Sequence, residues 1–310
     1  MSLFNKGLGR RRMLGVLAAT LLSATGLTQA DAASSQGTIR IGAKSFTEQR
    51  LLATMTEMYL QHLGYKVDVT WGLSTSISRP AQLNNELDLV WEYTGTSLLT
   101  YNHVHEVLDS EQSYKRVSEL DGKKGLTWLD PTEFNNTYAI AMPESVAQQN
   151  GNLHTLSEFA KWTREHPDQY HLFAMDYDFA GRADGLLGLD KVYHFGFSRG
   201  EKRSMDPGLV YLALRNQQAF GGVVYTTDGR INAFHLRVLK DDKKFFPAYN
   251  AAPVVRTDYL KQHPQLRAQM KRISDLLDGP TMRSLNTRVD VDQQSTDSVA
   301  RDFLSRHGLI

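Results

Sequence analysis

No cysteine occurs among the 310 residues. Its absence excludes disulfides, thiolate chemistry and a lipidated amino-terminal cysteine. The ten histidines include no His-Glu-x-x-His and no pair at metal-ligand spacing backed by carboxylates, so no metal site is expected. A G-x-S-x-G elbow, a P-loop and a Rossmann glycine fingerprint are also missing; no enzyme class is supported and no cofactor is expected. The 35 basic and 34 acidic residues nearly balance and form no basic block, which gives no reason to expect nucleic-acid binding. A long apolar run occurs once, near the start.

That run extends from Met13 to about Leu27, preceded by Lys6, Arg10, Arg11 and Arg12 and followed by Ala30-Asp31-Ala32-Ala33. A charged segment, an apolar segment too short to span comfortably and an A-x-A-like site make a secretory signal peptide over residues 1–32. Cleavage is expected after Ala32, with Ala30 as the competing site. The arginine run resembles a twin-arginine signal, but Met13-Leu14 matches it imperfectly, and Sec export stays open. Without a second apolar segment or a cysteine, the mature chain is expected to be a soluble protein of a Gram-negative periplasm. Loss of the signal takes the 35 basic and 34 acidic residues to 31 and 33.

The mature chain alternates strand and helix. Thr38–Ala43 reads as a strand, with Ser45 or Thr47 capping a helix whose face is Leu51, Leu52, Met55, Met58, Tyr59 and Leu63, ended by Gly64. Tyr65–Trp71 alternates as a second strand. Pro80 suits the first turn of the next helix, which carries Leu83 and Leu87, and the apolar run that follows, up to Tyr93, is a third, buried strand. Further strands are expected over 134–142, 171–175, 219–225, 237–240 and 251–256, the last without an assignable sheet. Helices are expected near 156–163, 183–195, 209–217, 260–277, 281–288 and 299–307. The repeated βαβ pattern indicates an α/β fold, whose ligands sit at strand ends.

Glu86-Leu-Asp-Leu-Val-Trp-Glu-Tyr-Thr-Gly-Thr96 is such a strand end. Asp88 and Glu92 flank it and read as surface carboxylates near a loop. Tyr93 recurs in kind: Tyr138, Tyr225 and Tyr249 each stand at an apolar strand segment beside Asn, Thr, Gly or Pro. Each tyrosine alone reads as a half-buried packing residue. Four in matching contexts suit a cage for a quaternary ammonium, whose diffuse charge is met by aromatic faces.

Lys44-Ser-Phe-Thr-Glu-Gln49, Trp91-Glu-Tyr-Thr-Gly-Thr96, Asn135-Asn-Thr-Tyr138, Tyr225-Thr-Thr-Asp-Gly-Arg230 and Asp241-Asp-Lys-Lys-Phe-Phe-Pro-Ala-Tyr249 occur in this order. Together, and over the whole mature chain, they resemble the substrate-binding proteins of osmoprotectant ABC importers, the glycine betaine/carnitine/choline group. The resemblance implies a type II periplasmic-binding-protein fold: two α/β lobes, 37–138 with 243–310 and 139–242, joined by two crossover segments and closing like a hinge. It implies that Tyr93, Tyr138, Tyr225 and Tyr249 box the trimethylammonium head. Tyr93 and Tyr138 would come from the first lobe or its hinge edge, and Tyr225 from the other. Lys44, Gln49 and Thr96 match family positions near the ligand. Arg182 sits where some members bind a carboxylate, a role its planar fork suits; an i,i+4 surface pair with Asp178 is the competing reading. Asn136 stands where some members carry an acidic residue facing the cation.

The resulting expectation is a non-enzymatic receptor for a quaternary-ammonium osmolyte, glycine betaine first, with carnitine, choline or ergothioneine as alternatives. A periplasmic enzyme on the same fold is the rival from another class. Expected partners are an integral-membrane permease and its cytoplasmic ATPase, with the binding protein itself a monomer.

Overall fold

A computed structural model describes residues 37–310 except 107, 168, 170, 171, 183 and 184. The signal-peptide segment, residues 1–32, lies outside the described residues, as does Ala183. Among the described residues ten strands form two mixed sheets: β1 (Thr38–Lys44), β2 (Lys66–Leu73), β3 (Leu89–Tyr93), β4 (Leu126–Trp128), β5 (Tyr138–Pro143), β6 (Phe173–Asp176), β7 (Lys202–Met205), β8 (Gly221–Tyr225), β9 (Leu236–Leu239) and β10 (Ala251–Arg256).

The first sheet runs β2-β1-β3-β10-β4 and the second β7-β6-β8-β5-β9. In the first, β1 lies parallel between β2 and β3, while β10 runs antiparallel to both β3 and β4. The second repeats the scheme, with β6 parallel to β7 and β8, and β5 antiparallel to β8 and β9. Central strands covered on both faces read as unbroken apolar runs, and all five residues of β3 are buried. The chain crosses between sheets twice, over 129–137 and 240–250. The two crossings lie side by side through an antiparallel bridge between Asn135 and Asn250.

The helix Thr47–His62 packs Leu51, Leu52, Met55 and Tyr59 into the core. Its period is uninterrupted by Gly or Pro, and Gly64, at φ +90°, turns the chain out of it as left-handed backbone favours. The expected caps are not used. Phe46 occupies the N-cap position without a side-chain bond, and the Thr47 hydroxyl donates instead to Asp290 at 2.6 Å. Pro80 is not a first-turn residue either: its helix starts earlier, at Thr75, and runs to Leu83. The expected single helix over 260–277 is two, Thr257–Gln262 and Leu266–Ser274. Pro264 lies between them, and a proline lacks the N–H that would carry a helix through.

The strand expected from 134 starts at Tyr138, because 134–137 belongs to the crossing. Two short strands, β4 and β7, escape a period-2 reading at three and four residues. β10, unassignable from its pattern, is the antiparallel member of the first sheet. Asp88 and Glu92 are not surface carboxylates; both are buried. Arg40 grips Asp88 through Nε at 2.9 Å and Nη2 at 2.7 Å, and Lys44 Nζ meets Glu92 at 2.8 Å. Among the described residues no helix is long and apolar enough to cross a membrane.

Candidate functional site

Strand ends from both sheets face one cleft. Tyr93 closes β3, and Tyr249 stands two residues before β10, which pairs with β3, Ala251 opposite Tyr93. Thr94 ties the two chains together, its N–H donating to Asn250 O at 3.1 Å and its hydroxyl to Ala248 O at 3.0 Å. Gly95 lets the Tyr249 ring lie against the turn, since a Cβ there would stand 2.7 Å from the ring and 2.8 Å from Ala248 O. On the second sheet Tyr138 opens β5, Tyr225 ends β8, and they are direct register partners. Tyr138 therefore comes from the second sheet with Tyr225, not from the first beside Tyr93. Only the latter part of 134–142 is strand, and that part, opened by Tyr138, pairs within the second sheet.

The four rings line one cleft, whose wall also contains Lys44, Phe46, Thr75, Thr96, Asn136, Asp178 and Arg182. Tyr138 sits 5.3 Å from Tyr225 and 5.6 Å from Tyr249, centroid to centroid, the latter edge-on at 82°. Phe46 joins the two sides. It stacks on Tyr225 at 5.1 Å and 10° and lies 6.1 Å from Tyr93. Among the described residues the aromatic wall thus has five members; Phe46 is displayed in Lys44-Ser-Phe-Thr-Glu-Gln49 but is not among the residues the sequence singles out. A phenylalanine in a loop gives no period or polar tip to single it out.

The tyrosine hydroxyls are anchored behind the wall. Tyr93 donates to Glu48 Oε1 at 2.8 Å, and Tyr225 to Asp176 Oδ2 at 3.1 Å. Burial, then the neighbouring carboxylate, Glu48 or Asp176, pushes each phenol well above its ordinary value of 10. Both stay neutral, and their faces stay electron-rich.

The expected polar residues divide. Thr96 and Arg182 meet across the cleft, Arg182 Nη1 donating to Thr96 Oγ1 at 3.1 Å. Arg182 is buried, with its guanidinium 5.4 Å from the Tyr138 ring centre; the exposed i,i+4 pair is not its setting. Lys44 bonds Glu92 with its ammonium 5.5 Å from the Tyr93 ring. Asn136 lines the cleft and donates Nδ2 to Glu48 Oε1 at 2.8 Å. Gln49 stands one layer back and is absent from the wall. Its Nε2 donates to Trp91 O at 3.0 Å and to the Tyr93 hydroxyl at 3.2 Å, which braces the ring. Thr75 and Asp178, unforeseen, span the cleft mouth through a 2.7 Å bond from the Thr75 hydroxyl. Trp91, read as a core residue, is buried and donates Nε1 to Thr56 at 2.9 Å.

Residues 37–306 match the family described as the substrate-binding domain of an ABC-type glycine betaine transport system, OpuAC. The chain belongs to that family. It is 51% identical to a glycine-betaine-binding protein of Pseudomonas aeruginosa over 298 residues, 95% of this chain and 94% of that one. It is 32% identical to the carnitine transport binding protein OpuCC of Listeria monocytogenes over 278 residues, 88% of each chain. A solved glycine betaine/carnitine/choline ABC transporter structure, 30% identical, superposes with a TM-score of 0.67 over 87% of this chain and 99% of that one. The two-sheet architecture is thus that of the family, which serves transporters as their substrate-binding component rather than as enzymes.

Proposed function

We propose that this protein binds glycine betaine in the tyrosine-lined cleft and delivers it to the permease of an ABC importer driven by a cytoplasmic ATPase. The observation that carries the reading is the convergence of Tyr93 and Tyr249 from one sheet with Tyr138 and Tyr225 from the other on a single cleft. A permanent trimethylammonium has no proton to donate, so aromatic faces are its natural partners. Contacts of about 0.5–2 kcal/mol each, several at once in a desolvated site, reach micromolar affinity.

Arg182, Thr96 and Lys44 supply donors at the edge of the cage for the ligand carboxylate, and Gln49 acts by holding Tyr93. Asn136 presents a polar side chain to the cation. The lobes follow the expected bounds, 37–138 with 243–310 and 139–242, except that Tyr138 goes with the second, where it opens β5; the two crossings are the hinge. Residues 1–32 are a cleaved export signal, and the mature monomer works in the periplasm. The 51% identity to a glycine-betaine-binding protein favours that ligand over the carnitine of the Listeria relative.

Calorimetric titration of the mature chain with glycine betaine tests the reading. Saturable binding is expected in the wild type and none in Tyr93→Ala or Tyr225→Ala, with the far-ultraviolet circular dichroism unchanged. Equal affinity in all three proteins overturns the cage.

A further inference from the structure

Behind the cage stand two buried acids that no role in the wall accounts for. We propose that Glu48 and Asp176 are specificity-determining counter-charges, which make the cage prefer a fixed cation to a neutral group of the same shape. The inference rests on the cage reading above and assigns its second layer.

Glu48 lies in the first turn of the helix Thr47–His62 and is 2% exposed. Four donors meet its carboxylate. The Tyr93 hydroxyl and Asn136 Nδ2 reach Oε1 at 2.8 Å each; the Thr227 hydroxyl reaches Oε2 at 2.6 Å and Asn286 Nδ2 at 3.4 Å. An amide nitrogen only donates, so this constellation suits an ionised carboxylate, which only accepts. The helix N-terminus favours the same form. Asp176, 4% exposed, accepts the Tyr225 hydroxyl and the Phe179 N–H.

Among the described residues, neither acid forms an ion pair within 4 Å, whereas the neighbouring buried acids Asp88, Glu92 and Asp121 all do. Buried charge is normally paired. Each of these two instead touches a cage tyrosine through its hydroxyl, one from each sheet, so an ammonium in the cage faces both across a ring; at Asp176 it adds to the influence of Arg182, which lies near without pairing. Burial, the largest influence on each, raises both carboxyls, and a cation brought to the cage opposes that rise.

Glu48 also sets Asn136. With Nδ2 held on the carboxylate, Asn136 Oδ1 is left buried and without a hydrogen-bond partner among the described residues. An acceptor dipole in the wall thereby adds to the negative potential of the rings. A tert-butyl group fills the same space and gains the same dispersion, but it gains nothing from these charges.

The test compares glycine betaine with 3,3-dimethylbutanoate, its uncharged-head isostere, by competition titration on the mature chain. The wild type is expected to prefer the betaine. Glu48→Gln and Asp176→Asn each keep side-chain shape and remove charge, and each is expected to narrow that preference about ten-fold through weaker betaine binding. Asparagine at 176 preserves the cap on Phe179, so this arm remains readable should Glu48→Gln fail to fold. A preference unchanged in the folded variants, or equal losses for both ligands, overturns the proposal and leaves the acids as braces. A wild type that binds neither ligand removes the quaternary-ammonium reading itself, and this inference with it.

Discussion

Arg182 carries two possible jobs on one guanidinium, and its surroundings separate them. It reaches Thr96 from the second sheet's side of the cleft and lies near the Tyr138 ring, so it stands between the polar and the aromatic parts of the wall. A charge-assisted hydrogen bond to a ligand carboxylate is worth about 2 kcal/mol, roughly thirty-fold in affinity. Arg182→Met keeps the apolar stem against Tyr138. It is expected to weaken glycine betaine by about that factor while changing choline, which lacks the carboxylate, by less than about three-fold. Parallel titrations decide; equal losses for the two ligands assign Arg182 to structure.

Elements are positioned by buried polar links as much as by the core. The helix Ser110–Gly122 is fastened to the helix Thr75–Leu83 by Asp121 and Arg79 at 2.8 Å, with Ser97 and Trp128 also donating to Asp121 at 2.7 and 2.8 Å. Burial raises the Asp121 carboxyl, but Arg79 and the hydrogen bonds from Asn102, Trp128 and Ser97 outweigh it and hold the group below its ordinary 3.8. The folded chain therefore takes up this proton less readily than the unfolded chain. The stability the pair contributes is present above pH 3.8 and lost as the pH falls through the lower folded value. Asp121→Asn strands a buried arginine and is expected to lower stability by about 3 kcal/mol at neutral pH. In urea melts the gap to wild type should narrow as the pH is lowered below about 4; a gap independent of pH contradicts the assignment.

At the scale of the molecule, the two sheets meet around the cleft through a few close contacts. Thr75 bonds Asp178, Thr96 bonds Arg182, and Glu48 bonds Thr227. Gly229, on the turn after β8, approaches the helix Gly279–Asp290 so nearly that a Cβ there would stand 2.7 Å from Thr287 Cβ and 2.9 Å from its Cα. Its φ of −67° is open to any residue, so space alone demands glycine. Gly229→Ala should hold the halves apart, weaken glycine betaine by about ten-fold or more, and leave a larger radius of gyration with ligand in small-angle scattering. Unchanged affinity would show that binding does not require this approach.

The sequence by itself determined most of the elements and four of the five rings that line the cleft. Apolar runs and helical periods are local, and the tyrosine contexts repeat visibly at Tyr93, Tyr138, Tyr225 and Tyr249. The family resemblance also pointed to Arg182, Thr96, Lys44 and Asn136, which line the cleft. Tertiary structure alone decided what depends on distant partners. Tyr138 belongs with Tyr225 because strand register is a pairing between segments 87 residues apart, as Tyr138↔Tyr225. Asp88 and Glu92 are buried because Arg40 and Lys44 come to them from β1. Glu48 has no local pattern that singles it out on its helix; only the packing of Tyr93, Asn136, Thr227 and Asn286 around it makes it a buried carboxyl beside the cleft. Burial and partnership of an ionisable group are properties of its surroundings, and no local pattern encodes them.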